Sequence, residues 1–235
     1  MACFENCWLC WRTDILTTAL LDEIDQIAGL HADLCVISRV SALALPAEMA
    51  IRSSLRCQII GVDSAHAPLH IAYESPQKLG HDRIANAFGA RYHAPNGAIV
   101  VDLGTATHFD VITPDGTFLG GPILAGVQTM LDALTQRIPH LPAFALTDDI
   151  QPVSNSTQAA LNTGAILGTA GAIEKIIAEI QKQIDFAPQI ILTGGHAPLI
   201  APHIHYDLWA PHLTLEGLCQ YAILTLQREK NRISA

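Results

Sequence analysis

The segment at residues 80–83 reads Gly-His-Asp-Arg and places an acid and a base side by side just before a helical stretch. Asp82 is a candidate general base for the proton of a substrate hydroxyl, and the Arg83 guanidinium is suited to bind a carboxylate or a phosphate. In a plainer interpretation, Asp82 caps the helix and Arg83 is solvated. The segment by itself leaves both interpretations open.

A second segment with chemical potential, residues 100–107, reads VVDLGTAT. Asp102 ends an apolar strand pattern, and we expect the Gly-Thr-Ala-Thr turn after it to point its backbone amides and hydroxyls outward, where they can bind phosphate oxygens. A carboxylate at a strand end can hold a cation, which phosphoryl transfer uses to offset charge. A hairpin turn with a capping aspartate fits the same letters, so the local pattern decides nothing by itself.

Alternating helix and strand patterns would position the first segment. Apolar residues recur at helical spacing in one stretch, Pro46 begins another helical stretch, and short apolar runs follow each of them. This alternation favours parallel pairing in an α/β lobe, and residues 3–12 are typical of two strands around a Glu-Asn turn. The predicted elements are a helix at 17–30, a strand at 33–38, a helix at 46–55 and a strand at 57–62.

The second half changes character at Gly97, where three β runs precede the helices. The turn sequence Pro-Asp-Gly at 114–116 separates two of these runs. We place the boundary between the lobes near 92–96, which gives lobes 1–94 and 95–235, and we expect Thr214 to cap the last helix. The later elements are helices at 126–138 and 156–183, a strand at 189–193 and a helix at 213–230.

Composition excludes several classes of protein. The 235 residues are 50% hydrophobic and carry a formal charge of -9, which supports a real core and disfavours binding to nucleic acid or to anionic lipid. No run approaches the roughly 20 apolar residues of a membrane helix, and the start lacks a signal-peptide pattern. We therefore expect a cytoplasmic protein, no membrane and no nucleic acid as partners, and six reduced cysteines without disulfides.

Three further features have ordinary explanations. Cys7 and Cys10 have the spacing of a redox pair or zinc half-site, but a second ligand cluster is lacking, so core or surface cysteines are favoured. His203 and His205 have chelating spacing, with only Asp207 as a further ligand, so a surface loop is favoured. The glycine pair at 194–195 could lie against an adenine or simply start a helix, and these alternatives remain open.

Taken together, these segments have the order and spacing of one family, and the chain resembles the type III pantothenate kinases from about residue 11 to 226. The resemblance is strongest at 80–126. It implies a duplicated actin-like ATPase (ribonuclease H-like) α/β fold of two lobes with mixed sheets, and the ATP-dependent phosphorylation of pantothenate, the first step of coenzyme A biosynthesis. One alternative is a homologue that binds ligand or regulates without effective catalysis, and another is a different small-molecule kinase of the same superfamily. The matching segments are Tyr73, GHDR, VVDLGTATHFDV, FLGGPILAG, STQAALNTG, LTGGHAPLI and LTLEGL.

The resemblance also implies residue roles. Asp82 matches the general base that takes the proton of the pantothenate hydroxyl, and Asp102 matches the ligand of a monovalent cation, potassium or ammonium, near the nucleotide phosphates. ATP is implied together with magnesium, and the family works as a homodimer. The residues that match substrate contacts are Tyr73, Gly80, His81, Arg83 and Thr157, and those that match nucleotide contacts are Gly104 and Thr105.

The family pattern includes an Asp-x-Gly-Asn-Thr loop on a first strand, where it binds phosphate and magnesium. The largest departure of this sequence is that no such string occurs before Trp11. We expect the N-terminal lobe to be without that strand, through either a misplaced start or a shortened gene. A shortened product would be a weak or inactive homologue that binds ligand or regulates. Smaller departures are His108, where the family commonly has Thr, and Ala125, where it commonly has Pro.

Overall fold

A computed structural model describes residues 2–5, 8–12, 33–38, 45–54, 56–65 and 67–233, and the chain divides into two compact units. Unit 1 comprises Met1–His93 and Leu213–Ala235, and unit 2 comprises Ala94–His212. The lobes predicted from sequence, 1–94 and 95–235, change one residue later than these units, which change between His93 and Ala94. They differ at the C-terminus, because the last helix packs on a helix of unit 1.

Unit 1 pairs its described strands in two small sheets. The N-terminal strands form an antiparallel hairpin, as predicted, and the next two strands are parallel, also as predicted. The predicted helix at 17–30 and the thiol of Cys7 lie outside the described residues. The elements are β1 (Ala2–Glu5), β2 (Trp8–Arg12), β3 (Leu34–Ile37), α1 (Leu45–Ser54), β4 (Gln58–Gly61), α2 (His81–His93) and α6 (Leu213–Ile233).

Helices α2 and α6 approach each other unusually closely, because glycines stand at their contact. A Cβ added at Gly217 would lie 1.8 Å from the carbonyl oxygen of Ala85, and one added at Gly89 would lie 2.6 Å from that of Leu213. The hydroxyl of Thr214 donates to Asn86 Oδ1 at 2.7 Å. Since Thr214 lies inside α6 and bonds to α2, its predicted role as a helix cap was wrong.

Unit 2 is built on a six-stranded mixed sheet with helices beside it. Its elements are β5 (Ala98–Leu103), β6 (Ala106–Ile112), β7 (Phe118–Gly120), β8 (Ile123–Ala125), α3 (Val127–Arg137), α4 (Thr157–Gln181), β9 (Gln189–Thr193), α5 (Ala197–Ile200) and β10 (Leu208–Trp209). The strand order is β10-β9-β5-β6-β7, and β8 also pairs with β6. β5 is antiparallel to β6 and parallel to β9. The predicted three runs, two helices and final strand are confirmed, except that the third run divides into two strands.

The core of unit 2 lies between one face of this sheet and α4. Helix α4 buries Ile166, Ala170, Ile173 and Ile177, which recur every three or four residues and so form one stripe. Alternate residues of β5 and β6 face this stripe, including Val101 and Phe109. The other face of the same strands therefore carries Asp102, His108 and Asp110. Among the helices of the described residues, none is long and apolar enough to cross a membrane.

Candidate active site

The first predicted group of residues lies at the start of α2, in unit 1. Asp82 is the second residue of the helix and is half-buried. Its Oδ1 accepts a hydrogen bond from the Arg83 backbone N–H at 2.8 Å. The first turn of a helix is a favourable place for an acidic side chain, because the backbone N–H groups there point toward it.

Gly80 is next to this carboxylate for a steric reason. A Cβ at Gly80 would lie 2.4 Å from Asp82 Oδ1, which is closer than real Cβ atoms approach another atom. Glycine is therefore the residue that leaves the Asp82 side chain in its observed position. The carbonyl of Gly80 accepts from the Ile84 N–H at 3.2 Å, so the same residue also begins the helical hydrogen bonds.

His81 and Arg83 complete this group. Arg83 is only 5% exposed, so the interpretation of it as a solvated side chain was wrong. His81 is half-buried, and its Nδ1 is buried without a hydrogen-bond partner among the described residues. Burying a polar nitrogen without a partner costs free energy, and an acceptor or donor on a ligand would remove that cost.

The predicted substrate contacts Tyr73 and Thr157 lie on other elements. Tyr73 lies before a short 3-10 helix, Pro76–Lys78, and is 37% exposed. Thr157 is the first residue of α4, in unit 2, behind the N-cap Ser156, whose hydroxyl oxygen accepts from the Ala159 N–H. Both residues are exposed, and their contact with a substrate stays a prediction.

The second predicted group lies at the turn between β5 and β6 in unit 2. Gly104 and Thr105 form a two-residue hairpin turn, and the Thr105 side chain is exposed. The Thr105 carbonyl accepts from the Gly126 N–H at 2.9 Å and from the Thr129 hydroxyl at 2.8 Å, which fixes the turn against the start of α3. A Cβ at Gly126 would lie 2.2 Å from the Gly104 oxygen, so only glycine permits this contact.

Two details of the predicted turn were wrong. Thr107 is fully buried and its hydroxyl has no hydrogen-bond partner among the described residues, so it does not point outward. The Gly104 amide donates to the Ala106 carbonyl at 3.0 Å, so it is used inside the turn. Thr105 therefore remains as the side chain of this turn that faces solvent.

Asp102 ends β5 on the face of the sheet opposite α4. Its side chain is 14% exposed, and its Oδ2 lies 3.5 Å from Nε2 of His108, its antiparallel partner on β6. Beyond β9, Gly194 adopts a φ of +97°, and a Cβ there would lie 2.6 Å from Asp102 Oδ1. This positive φ turn starts the short helix α5, which confirms the turn interpretation of Gly194 but does not test a contact with adenine.

Sequence reasoning missed that His108 also contacts Asp110. The His108 Nδ1 lies 3.2 Å from Asp110 Oδ2, and Asp110 is completely buried. The signal was present in the alternation of β6, since residues 108 and 110 share a face with the partner of Asp102. Reading the strand as two faces would have grouped the three residues.

Within the described residues, no group of three or more His, Cys, Asp or Glu side chains is placed to hold a metal ion. Asp207, considered with His203 and His205, accepts instead from the Ile190 N–H at 2.7 Å through its Oδ2. Asp102 offers one partly exposed carboxylate. A single carboxylate fits a cation that takes its other ligands from phosphate, water and backbone oxygens.

Known proteins resemble this chain over most of its length. The family description "Type III pantothenate kinase" matches residues 12–179. A protein of that name from Anaeromyxobacter sp. (strain Fw109-5) is 32% identical over 235 residues, covering 94% of this chain and 90% of the relative. One from Akkermansia muciniphila is 34% identical over 199 residues, covering 84% and 81%.

Among solved structures, a conserved putative Baf family transcriptional activator from Campylobacter jejuni matches with a TM-score of 0.59. It is 21% identical and covers 87% of this chain and 89% of that chain, so it supports the fold alone. The fold is of the actin-like ATPase and sugar kinase class, an α/β fold with mixed sheets. The match of the family description over 12–179 then decides the family within this class. The chain belongs to the type III pantothenate kinase family.

Proposed function

We propose that this chain transfers the γ-phosphoryl group of ATP to the primary hydroxyl of pantothenate, which produces 4'-phosphopantothenate in the first step of coenzyme A biosynthesis. The observation that carries the proposal is the start of α2. There, the half-buried Asp82 stands in the first helical turn beside the buried Arg83. Family membership supplies the substrate class, and this geometry supplies a base and a cation next to each other.

Asp82 is the proposed general base. Its Oδ1 is engaged by the Arg83 N–H, which leaves Oδ2 to accept the proton of the pantothenate hydroxyl. The oxygen so activated attacks the γ-phosphorus, and the bond from that phosphorus to the β–γ bridging oxygen breaks, so that ADP leaves with the electron pair. Asp82 later returns its proton to solvent.

Binding of pantothenate is assigned to five further residues that lie near Asp82 or match the family pattern. Arg83 is suited to bind the pantothenate carboxylate, because a guanidinium binds carboxylates through two parallel hydrogen bonds. Nδ1 of His81, which has no hydrogen-bond partner in the described part of the chain, is available to a substrate oxygen or amide. Gly80 leaves room beside the carboxylate, and Tyr73 and Thr157 are the proposed contacts from other elements.

The nucleotide is assigned to the turn after β5. The exposed Thr105 and the adjacent Gly104 would contact the phosphates of ATP, and Asp102 would hold a monovalent cation, potassium or ammonium. Magnesium would accompany the nucleotide, bound mainly by its phosphates. These cations would neutralise the charge that spreads over the phosphates during transfer.

The working unit is proposed to be a cytoplasmic homodimer. In unit 2, Met130 and Leu134 lie one turn apart on α3 and are 37% and 40% exposed, and Ile123 on β8 is 57% exposed. Large apolar side chains of this kind favour burial against a second chain. Light scattering of the purified protein should give about twice the mass of one chain, and a monomeric mass at micromolar concentration would contradict the dimer.

Turnover and binding together test the proposed function. ATP-dependent conversion of pantothenate is expected for the native chain, and Asp82→Asn should lower kcat by roughly 10²–10⁴-fold, because proton transfer contributes about that much. The matched control is Asp185→Asn, which changes an exposed aspartate of unit 2 and should leave kcat unchanged. Equal turnover of the native chain and Asp82→Asn would refute the role of Asp82.

Calorimetry separates the remaining alternatives. Pantothenate bound without ATP, and without turnover, would identify a homologue that binds ligand but is not a kinase. A panel of small hydroxyl compounds in which pantothenate is not preferred would instead identify a different kinase of the same fold class.

A further inference from the structure

The structure places an imidazole between two carboxylates beside the proposed nucleotide site. We propose that His108 is a positioning residue: it links Asp102 to the buried Asp110 and so holds the Asp102 carboxylate in the orientation that ATP binding requires. This inference rests on the proposed function, since Asp102 is assigned to the nucleotide there. It adds residues that no matched role covers, namely His108 and Asp110.

Strand register is the first step of the argument. Asp102 and His108 are direct partners across the antiparallel β5–β6 pair, and Asp110 is two residues further along β6. Residues at i and i+2 of a strand share a face, so all three side chains project from the side of the sheet opposite α4. Their proximity therefore follows from regular β geometry.

Distances give the second step. His108 Nε2 lies 3.5 Å from Asp102 Oδ2, and His108 Nδ1 lies 3.2 Å from Asp110 Oδ2. Each ring nitrogen thus contacts a different carboxylate. These separations are longer than those of short hydrogen bonds, and the approach of Nδ1 to Asp110 lacks hydrogen-bond geometry, but they bring the edge of the ring against both acids.

Burial gives the third step. Asp110 is completely buried, His108 is 7% exposed, and the side chain of Asp102 is 14% exposed. Exposure therefore increases from Asp110 to Asp102, so the inner carboxylate anchors the ring and the outer one can meet a ligand. A buried carboxylate requires polar partners, and the His108 ring approaches Asp110 Oδ2 to 3.2 Å, although without hydrogen-bond geometry.

Residue 194 leaves room for the other oxygen of Asp102. A Cβ there would be 2.6 Å from Asp102 Oδ1, so glycine at this position permits the observed orientation. Oδ2 lies toward the imidazole and Oδ1 lies in the space that a side chain at 194 would fill. Preorganisation of a charged group in this way lowers the cost of ordering it when a ligand binds.

The first experiment measures ATP affinity by calorimetry and the KM values of both substrates. His108→Leu removes both ring nitrogens, keeps a buried side chain of comparable size, and should weaken ATP binding about tenfold while leaving the KM for pantothenate unchanged. His108→Gln retains an amide donor toward Asp102 and should recover part of the loss. His140→Gln, at an exposed histidine of unit 2, is the control and should bind ATP normally.

A double-mutant cycle tests the link itself. Asp110→Asn should weaken ATP binding in the native background but have little further effect in His108→Leu, because its influence on Asp102 passes through the ring. Unchanged ATP affinity in a folded His108→Leu, or independent effects of the two substitutions, would overturn the proposal. An equal loss for ATP and pantothenate would also overturn it, since a merely structural role predicts that result.

A spectroscopic readout does not depend on turnover. The imidazole ¹⁵N signals of His108, assigned by their loss in His108→Gln, should shift in both Asp102→Asn and Asp110→Asn, and signals unmoved by either would refute the contact. If the native chain shows no turnover but these shifts appear, the proposed function fails while the link stands. If turnover is normal and the shifts are absent, the link fails alone.

Discussion

Gly217 on α6 allows a sharp test of how α2, the helix that carries Asp82, is held in place. A Cβ added by Gly217→Ala would lie 1.8 Å from the Ala85 carbonyl oxygen and 2.6 Å from its carbonyl carbon. Both atoms belong to the backbone, so no side-chain rotation relieves the clash. The two helices must separate by roughly 1 Å or more, a change that cores resist.

The magnitude follows from two opposing effects. Overpacking of this kind costs about 1–3 kcal/mol, and alanine returns about 0.5–1 kcal/mol because it is the better helix former. With the middle of each range, the expected net loss in the free energy of unfolding is about 1 kcal/mol. With a urea dependence of about 2 kcal/mol per molar, the midpoint should fall by roughly 0.5 M.

The matched control uses helical glycines with open surroundings. Gly164 and Gly171 lie inside α4, and an added Cβ at either would meet nothing within 4 Å. Gly164→Ala and Gly171→Ala should therefore stabilise the protein by about 0.5–1 kcal/mol each, which is the opposite sign from Gly217→Ala.

Urea unfolding followed by circular dichroism gives the midpoints, and hydrogen exchange read by mass spectrometry assigns the change to a helix. Gly217→Ala should speed exchange in α2 and α6 and lower kcat, because Asp82 is carried on α2. A Gly217→Ala protein with the native urea midpoint and native exchange rates in both helices would show that the close approach of α2 and α6 does not contribute to stability.

Three further predictions concern single side chains. Gly80→Ala should lower kcat at least tenfold and leave the free energy of unfolding within about 0.5 kcal/mol of native, since its Cβ would displace the Asp82 carboxylate and not the backbone; native kcat would contradict this. Tyr221→Phe should cost about 1 kcal/mol in thermal unfolding, because the hydroxyl accepts at 3.1 Å from the backbone N–H two residues after β4, and no loss would contradict it. Hydrogen bonds lower the pKa of Asp115: the Thr113 hydroxyl contributes most, and the backbone N–H and hydroxyl of Thr117 contribute less. Thr113→Val should therefore raise that pKa in an NMR titration. The ionised Asp115 carboxylate stabilises the native protein above the ordinary carboxyl pKa, and this stabilisation is lost as the pH falls through the lowered pKa of the folded state. Thr113→Val should make that stabilisation smaller.

Local patterns were sufficient to predict most of the elements. Alternation and turn residues placed the strands of unit 2 from Ala98 onward, and helical spacing placed α4 within two residues of its observed ends. Such features depend on neighbours in sequence, which a reader of the chain can see directly. Parallel pairing of β3 with β4 was likewise predicted from alternation.

Contacts between residues far apart in sequence could not be predicted from local patterns. The grouping of α6 with unit 1 depends on a backbone contact between Gly217 and Ala85, which are far apart in sequence. Thr214 has the composition of a helix cap, but its hydroxyl bonds to Asn86 on α2. Tertiary packing in both cases decides what a residue does, whereas propensity only suggests it.

The candidate site shows the same division. Asp82 and Asp102 stand out because acids at element ends are visible in the sequence, whereas the burial of Arg83 and the contact of His108 with Asp110 are not. Alternation shows which face of a strand a residue occupies. It does not show which residue lies opposite on the neighbouring strand, because that depends on the register of the pairing.

Glycines explain why the two proposed functional carboxylates keep their observed positions. Gly80 lies against Asp82 Oδ1 and Gly194 lies against Asp102 Oδ1, so in each case the missing Cβ leaves the position that the carboxylate occupies. Alanine would raise helix or loop stability at many exposed glycines, as it should at Gly164 on α4. At 80 and 194 the same change would move a carboxylate, and at 194 it would also strain a positive φ. Selection for stability alone would favour alanine at Gly164 before any change at Gly80. In a screen for stabilised variants that is read out by kinase activity, Gly164→Ala should therefore retain activity and Gly80→Ala should lose it.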